Sequence, residues 1–342
     1  RIRITYAPTV PTRMSPSLID DESDYASINT SATEITAINQ SIRSILSLFR
    51  SSTYVGFTAT PFANIFIDPD ADQDLFPKDF IYCLNSPDNY IGPGAMYTID
   101  GNRRYMLKTI DVRGPDHFGK GAGLPELPFD HAKDFKMVIM PTSLKEAICC
   151  FMVSCVIRDL RGQTSRHMTM MVNMSRFTDV QESVKDLIDD YIYKQQNAVE
   201  SYGHLSEEEA LQNCFMQDLK NAWAENFYGD HINYSWIEIQ RQLFRSIKPI
   251  VVKSINQKNG PKNLNYADVP GGLRIIAVGG NSLSRGVTLE GLCVSYFYRR
   301  SQSYDTLMQM GRWFGYRDGY DDLCRVWMTQ ESIDWYRQIS EA

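Results

Sequence analysis

Ser17-Leu18-Ile19-Asp20-Asp21-Glu22-Ser23-Asp24 takes the chain from an apolar pair straight into four acidic residues. The order predicts a buried strand that ends in carboxylates at its C-terminal edge. Hydrolysis of a nucleotide needs such an order: one carboxylate at the strand's end holds Mg²⁺, and the next orients or deprotonates the attacking water. Asp21 and Glu22 stand in those two positions. Taken alone, such a run is more often a solvated acidic loop, so its surroundings decide.

Residues 35–50, ITAINQSIRSILSLFR, place Ile35, Ile38, Ile42, Ile45, Leu46 and Phe49 at helical spacing, which predicts a helix over the sheet. Tyr54-Val55-Gly56-Phe57-Thr58-Ala59-Thr60-Pro61 follows, another apolar run that ends in small hydroxyl residues. Strand, helix and strand in this order predict a doubly wound α/β half-domain. A second half-domain is expected after residue 141. Thr142 or Ser143 caps a largely apolar helix to about Arg161, residues 168–174 form a first strand, and Thr178 or Asp179 caps the next helix to about Gln196. Strands at 249–252, 273–280, 293–297 and 324–328 continue the sheet, with a helix over 304–314. Gly279 and Gly280 permit a tight turn at a strand's C-terminal edge, where α/β sheets bind ligands. Amphipathic helices at 206–227 and 236–247 read as an inserted unit, with Trp223, Phe227, Tyr228 and Trp236 as its core in preference to a base-stacking platform.

Four segments, DESD at 21–24, TATP at 58–61, SRGVT at 284–288 and GRWFGYR at 311–317, resemble in this order motifs II, III, V and VI of superfamily II helicases and translocases. With Phe62-Ala63-Asn64 after TATP and Tyr304-Asp305-Thr306-Leu307 before GRWFGYR, the chain is similar more narrowly to the bacterial Z-one domain family. That family is described as helicase-associated and often carries an endonuclease label. The resemblance implies two RecA-like P-loop NTPase lobes: residues 1–75 the C-terminal part of the first, 76–140 a linker or insertion, and 141–342 the second, with a helical insertion at about 200–248. It implies ATP and Mg²⁺ as cofactors, with Asp21 on the metal, Glu22 catalytic, Arg285, Gly286 and Thr288 at the phosphates, and Thr58 and Thr60 coupling hydrolysis to motion. Arg312 and Arg317 are both candidates for an arginine finger. The spacing departs from the usual motif, because Arg317 stands five residues after Arg312. Both face one cleft only if the helix stops near Gly315; otherwise Arg317 reads as a surface partner of Asp318, Asp321 or Asp322. Trp313 and Phe314 read as packing this helix onto the sheet or the inserted helices.

Residues 1–342 hold no Gly-x-x-x-x-Gly-Lys-Ser/Thr phosphate loop, so the first lobe is expected to be truncated before it, with that loop in an upstream region of the same protein. The function implied is the ATPase or translocase portion of a bacterial DNA-processing protein in restriction or phage defence. Its partners would be nucleic acid, double-stranded DNA first, and other defence proteins. A second reading is a metal-dependent nuclease: Pro115-Asp116 and, after seventeen intervening residues, Asp134-Phe135-Lys136 fit the loose PD-(D/E)xK pattern. A third is an interaction module that keeps the fold without hydrolysis.

Size and composition set the limits. A chain of 342 residues, 43% of them hydrophobic, has the core for two domains. A net charge of −6 gives no global attraction to a polyanion and leaves room for a local basic groove. No apolar run approaches the ~20 residues of a membrane span and no signal sequence opens the chain, so a cytoplasmic protein without a membrane partner is expected. Seven cysteines without a Cys-x-x-Cys pair, and five histidines without metal-ligand spacing, point to reduced thiols and no structural zinc. Cys149, Cys150 and Cys155 read as core.

Overall fold

The acidic run closes a strand, as its apolar lead predicts. In the computed structural model β1 (Arg3–Thr5), β2 (Ser17–Asp21) and β3 (Thr53–Phe57) form a sheet in that order, with β1 antiparallel and β3 parallel to β2. The structure describes residues 3–5, 16–24, 27–29, 35–58, 62–65, 67–69, 74–85, 87–113, 121–229, 232–256, 264–284, 287–300 and 304–341. These three strands, with α1 (Ala37–Ser47) and α2 (Phe62–Ile65), belong to the first of two units, Arg1–Asn85 and Ser86–Ala342. Ile42 of α1 is fully buried against Leu18 and Leu75, with Ile45, Leu46 and Tyr54 packed around them. Ile35 and Ile38, expected in the same stripe, are exposed: the helix begins at Ala37, so Ile35 precedes it and Ile38 lies in its first turn.

In the second unit β4 (Tyr90–Ile91), α3 (Pro93–Tyr97), β5 (Leu107–Ile110), β6 (Gly123–Leu124) and β7 (Leu127–Pro128) lead to α4 (Thr142–Leu160). There follow β8 (Met168–Asn173), α5 (Thr178–Tyr202), α6 (Glu207–Ala210), α7 (Cys214–Asn226), α8 (Trp236–Ile247), β9 (Ile250–Ile255) and β10 (Arg274–Gly279). The unit ends with α9 (Asn281–Ser284), β11 (Leu292–Phe297), α10 (Tyr304–Met310), β12 (Gly315–Tyr316), β13 (Arg325–Thr329) and α11 (Gln330–Glu341). Six strands make one all-parallel sheet in the order β5-β13-β11-β8-β10-β9. Every residue of β8, β10, β11 and β13 is buried. Burial on both faces is why these segments read as near-continuous apolar runs and not as alternating ones.

α4 is buried on all sides because it lies against β11 and β8 and also carries α7 and α8. Those two helices, with α6, occupy the stretch expected as a helical insertion. Ser206 with Glu209 and Ser235 with Glu238 form reciprocal capping boxes at the starts of α6 and α8. Trp223, Phe227 and Trp236 are core there, as expected, whereas Tyr228 is exposed and meets Trp223 edge-on at 5.1 Å between ring centres. Cys149, Cys150 and Cys155 are buried, and the two thiols at the surface are Cys83 and Cys214. No helix among the described residues is long and apolar enough to cross a membrane.

The stretch 76–140, expected as a linker or insertion, divides between the units at Asn85, and its LKTI segment is an edge strand of the large sheet, paired with β13. A buried ion pair ties the helical layer to the sheet: both Nη atoms of Arg274 on β10 donate to Asp159 on α4, at 2.7 and 2.8 Å, and Arg274 Nη1 also donates to the Ser246 carbonyl of α8 at 2.7 Å. Removing one partner strands a desolvated charge, so Asp159→Ala is expected to cost about 3–5 kcal/mol of stability. Chemical denaturation reads this; a loss under about 1 kcal/mol is what a solvated surface pair would give and would contradict it.

Candidate functional site

Strand alternation separates the acids of the opening stretch. Leu18 and Asp20 are buried, and Asp21, at the strand's end, is exposed, as is Glu22 just after it. Asp20 is anchored: Tyr54 on β3 donates its hydroxyl to Asp20 Oδ2 at 2.7 Å, and the Ser27 hydroxyl donates to the same oxygen. Burial first, then the carboxylate it bonds, pushes the Tyr54 phenol well above its ordinary range, which keeps it a donor to Asp20. Asp20 is thus structural, and Asp21 and Glu22 are left facing solvent.

Glu22 is the one non-glycine residue at positive φ among the described residues, at 60°. The left-handed conformation costs an L-residue roughly 1–2 kcal/mol. It turns the chain so that Ser23 folds over β3, its N–H donating to the Phe57 carbonyl at 3.1 Å. Gly56 makes room: a Cβ there would lie 2.7 Å from Ser23 Oγ. Asn64 of α2 donates to the Ser23 carbonyl at 3.2 Å, so the acidic turn and the helix after TATP are in contact. Thr58 is half-buried, and Thr60 lies outside the described residues.

Asp21 is placed where it could hold Mg²⁺, which takes one or two protein carboxylates and completes its shell with water and substrate phosphates. The described residues hold no group of three or more His, Cys, Asp or Glu that would form an all-protein cage.

In the second unit, α10 ends at Met310, earlier than the expected stop at Phe314 or Gly315. The chain turns at once because Phe314 folds back on Gly311, where a Cβ would lie 2.4 Å from the Phe314 ring. Gly315, at φ 129°, opens the short β12, which pairs with β4. Trp313 and Phe314 join an aromatic cluster: Trp313 meets Phe297 of β11 at 5.4 Å and Tyr336 of α11 at 5.6 Å, and Phe314 meets Tyr97 of α3 at 6.2 Å. They pack on the sheet and on α3 and α11, not on the inserted helices.

That turn sends the two arginines different ways. Arg312 is half-buried, and its Nη2 donates to the Val287 carbonyl, which joins the GRWFGYR loop to the segment just ahead of the exposed Thr288. Arg317 bends back on its own loop: Nη1 donates to the Tyr316 carbonyl at 2.8 Å, and Nη2 to the carbonyls of Arg312 at 3.0 Å and Phe314 at 3.3 Å. Of the acids considered for it, Asp321 pairs with Arg103 at 2.7 Å and Asp322 with Arg161 at 2.6 Å. Arg285 and Gly286 lie outside the described residues, as does Asp116 of the nuclease pattern; Asp134 and Lys136 are exposed.

The anchoring of Asp20 and the left-handed turn at Glu22 were not foreseen from sequence. The available signal was Tyr54 in the parallel neighbour and Gly56 two residues on. A family model described as the Z1 domain matches residues 143–342. No curated protein and no solved structure matches the chain.

Proposed function

This chain belongs to the Z1 domain family, and from that premise we propose that it is the ATPase and translocase portion of a nucleic-acid-processing protein, coupling ATP hydrolysis to movement on DNA. Both units are taken as RecA-like lobes. Support comes from the second sheet: β8 is central, β9 and β10 lie on one side, and the chain then crosses to β11 and β13 on the other. Such a reversal leaves a crevice at the strands' C-terminal ends, the usual ligand position in α/β sheets. Asp21 would hold Mg²⁺ with the nucleotide phosphates, and Glu22 would orient or deprotonate the water. Arg312 would act as the finger, and a phosphate loop that these residues do not carry would complete the site. Bound ATP-Mg²⁺ would supply the phosphoryl group.

The observation that carries the proposal is the strained backbone of Glu22 beside an exposed carboxylate, since such strain persists where function holds it. Glu22→Gly is therefore expected to raise stability by about 1 kcal/mol while abolishing turnover. Denaturant midpoints and phosphate release on one preparation check this; lowered stability with full turnover would overturn the role of Glu22.

A nuclease reading has a direct check. Any metal-dependent cleavage of plasmid DNA is expected to persist in the Asp116→Ala, Lys136→Ala double variant. Complete loss of cleavage with the fold intact would instead favour those residues.

A further inference from the structure

The strands β11, β8 and β10 are neighbours in the middle of the large sheet and end at one edge. The residues that leave this edge carry cations. Arg299 follows β11; it is half-buried, and its Nη1 donates to the Oδ1 of Asn281, the first residue of α9 after β10. Arg176 follows β8, is exposed, and lays its guanidinium 4.8 Å from the centre of the Phe177 ring. The loops after β8 and β10 are in close contact, because a Cβ on Gly280 would lie 2.9 Å from the Ser175 carbonyl and 2.7 Å from Gln181 Nε2.

Neither Arg176 nor Arg299 forms an ion pair among the described residues, in contrast to Arg103, Arg161, Arg274 and Arg300. Of the acids in the adjoining segments, Glu331 pairs with Arg300 at 3.5 Å, and Glu182 accepts from Ser254 at 2.6 Å and Asn256 at 3.0 Å. Burial, and then the charge of Arg176, pulls the Arg299 guanidinium below its ordinary value. The contact of the two loops brings both cations to one sheet edge, and the inner one rests on a neutral amide. An anion between them would relieve both the repulsion and the desolvation.

We propose that Arg176, Arg299 and Asn281 form a phosphate-binding site at the C-terminal edge of the second unit's sheet. The ligand chemistry is a phosphate ester, a strand's phosphodiester or a nucleotide's phosphate. Arginine suits it because its planar fork matches phosphate oxygens. The site deepens the function proposed above by naming where phosphate is held, and it rests on that reading only for the source of the phosphate.

The test is fluorescence anisotropy of the whole chain with two probes, a labelled oligonucleotide and a labelled ATP analogue, across a range of salt. Arg176→Gln and Arg299→Gln are each expected to weaken one probe about tenfold and to reduce the slope of log affinity against log salt by about 1 if that probe is the oligonucleotide. Arg245→Gln, on the exposed face of α8, serves as control and is expected to change neither. Asn281→Ala, which frees Arg299 while keeping its charge, is expected to weaken the same probe less. The probe affected identifies the source. Binding of neither probe by the unaltered chain, or equal weakening in Arg245→Gln, would overturn the site. Thermal unfolding of each variant excludes loss of fold as the cause. Turnover of Glu22→Gln is independent of this result, so failure of the phosphate site and failure of the motor reading are told apart.

Discussion

Arg312→Ala in the complete protein is expected to lower ATP turnover by roughly 10³-fold, equal to about 4 kcal/mol of transition-state stabilisation, beyond the stability lost with its bond to the Val287 carbonyl. Arg317→Ala is expected to act mainly on stability. Its guanidinium spends both terminal nitrogens on three carbonyls of its own loop, so it holds the turn that carries Arg312 and has less to offer a phosphate. Hydrogen bonds from a charged group contribute about 1.5–3 kcal/mol net, and that is the loss of stability expected for Arg317→Ala, with turnover down about tenfold through a looser loop. Thermal unfolding measured beside kcat separates the roles. Equal losses of turnover without a difference in stability would mean that Arg317 also reaches the phosphates.

Glu22→Gln is the second large effect. Glutamine keeps the size of the side chain and cannot take a proton from water, while Asp21 still holds its place at the end of β2. Turnover is expected to fall by roughly 10²- to 10⁴-fold, the usual range for losing a general base, with nucleotide affinity nearly unchanged. Asp21→Asn should instead weaken Mg²⁺-dependent nucleotide binding, because a neutral amide is a poorer ligand for a hard cation. A Glu22→Gln protein that hydrolyses ATP at the unaltered rate would remove the acidic turn from the chemistry.

Much of the second unit was legible because burial on both faces writes strands as unbroken apolar runs, and β8, β10, β11 and β13 all carry that mark. β5 was not legible. LKTI is short, half-buried and set in a stretch rich in turns, and only its pairing with β13 makes it a strand. The end of α10 was misplaced for a tertiary reason: Trp313 and Phe314 leave the helical path to fill an aromatic cluster with Tyr97, Phe297 and Tyr336, residues far away in sequence. In the acidic stretch the sequence marks four carboxylates alike. Which one is anchored depends on the alternation of β2 and on the Tyr54 hydroxyl across the sheet. Neither the left-handed turn at Glu22 nor the pairing of Arg299 with Asn281 has a local signal, since each is imposed by elements that meet only in the folded chain.

We propose that ATP hydrolysis runs through Glu22 and is coupled to nucleic acid. Steady-state phosphate release by the complete protein, measured with and without double-stranded DNA, tests it most directly. Turnover that rises when DNA is added, and that disappears in Glu22→Gln, is the expected result. Absence of hydrolysis under both conditions, or hydrolysis that survives Glu22→Gln unchanged, would contradict it.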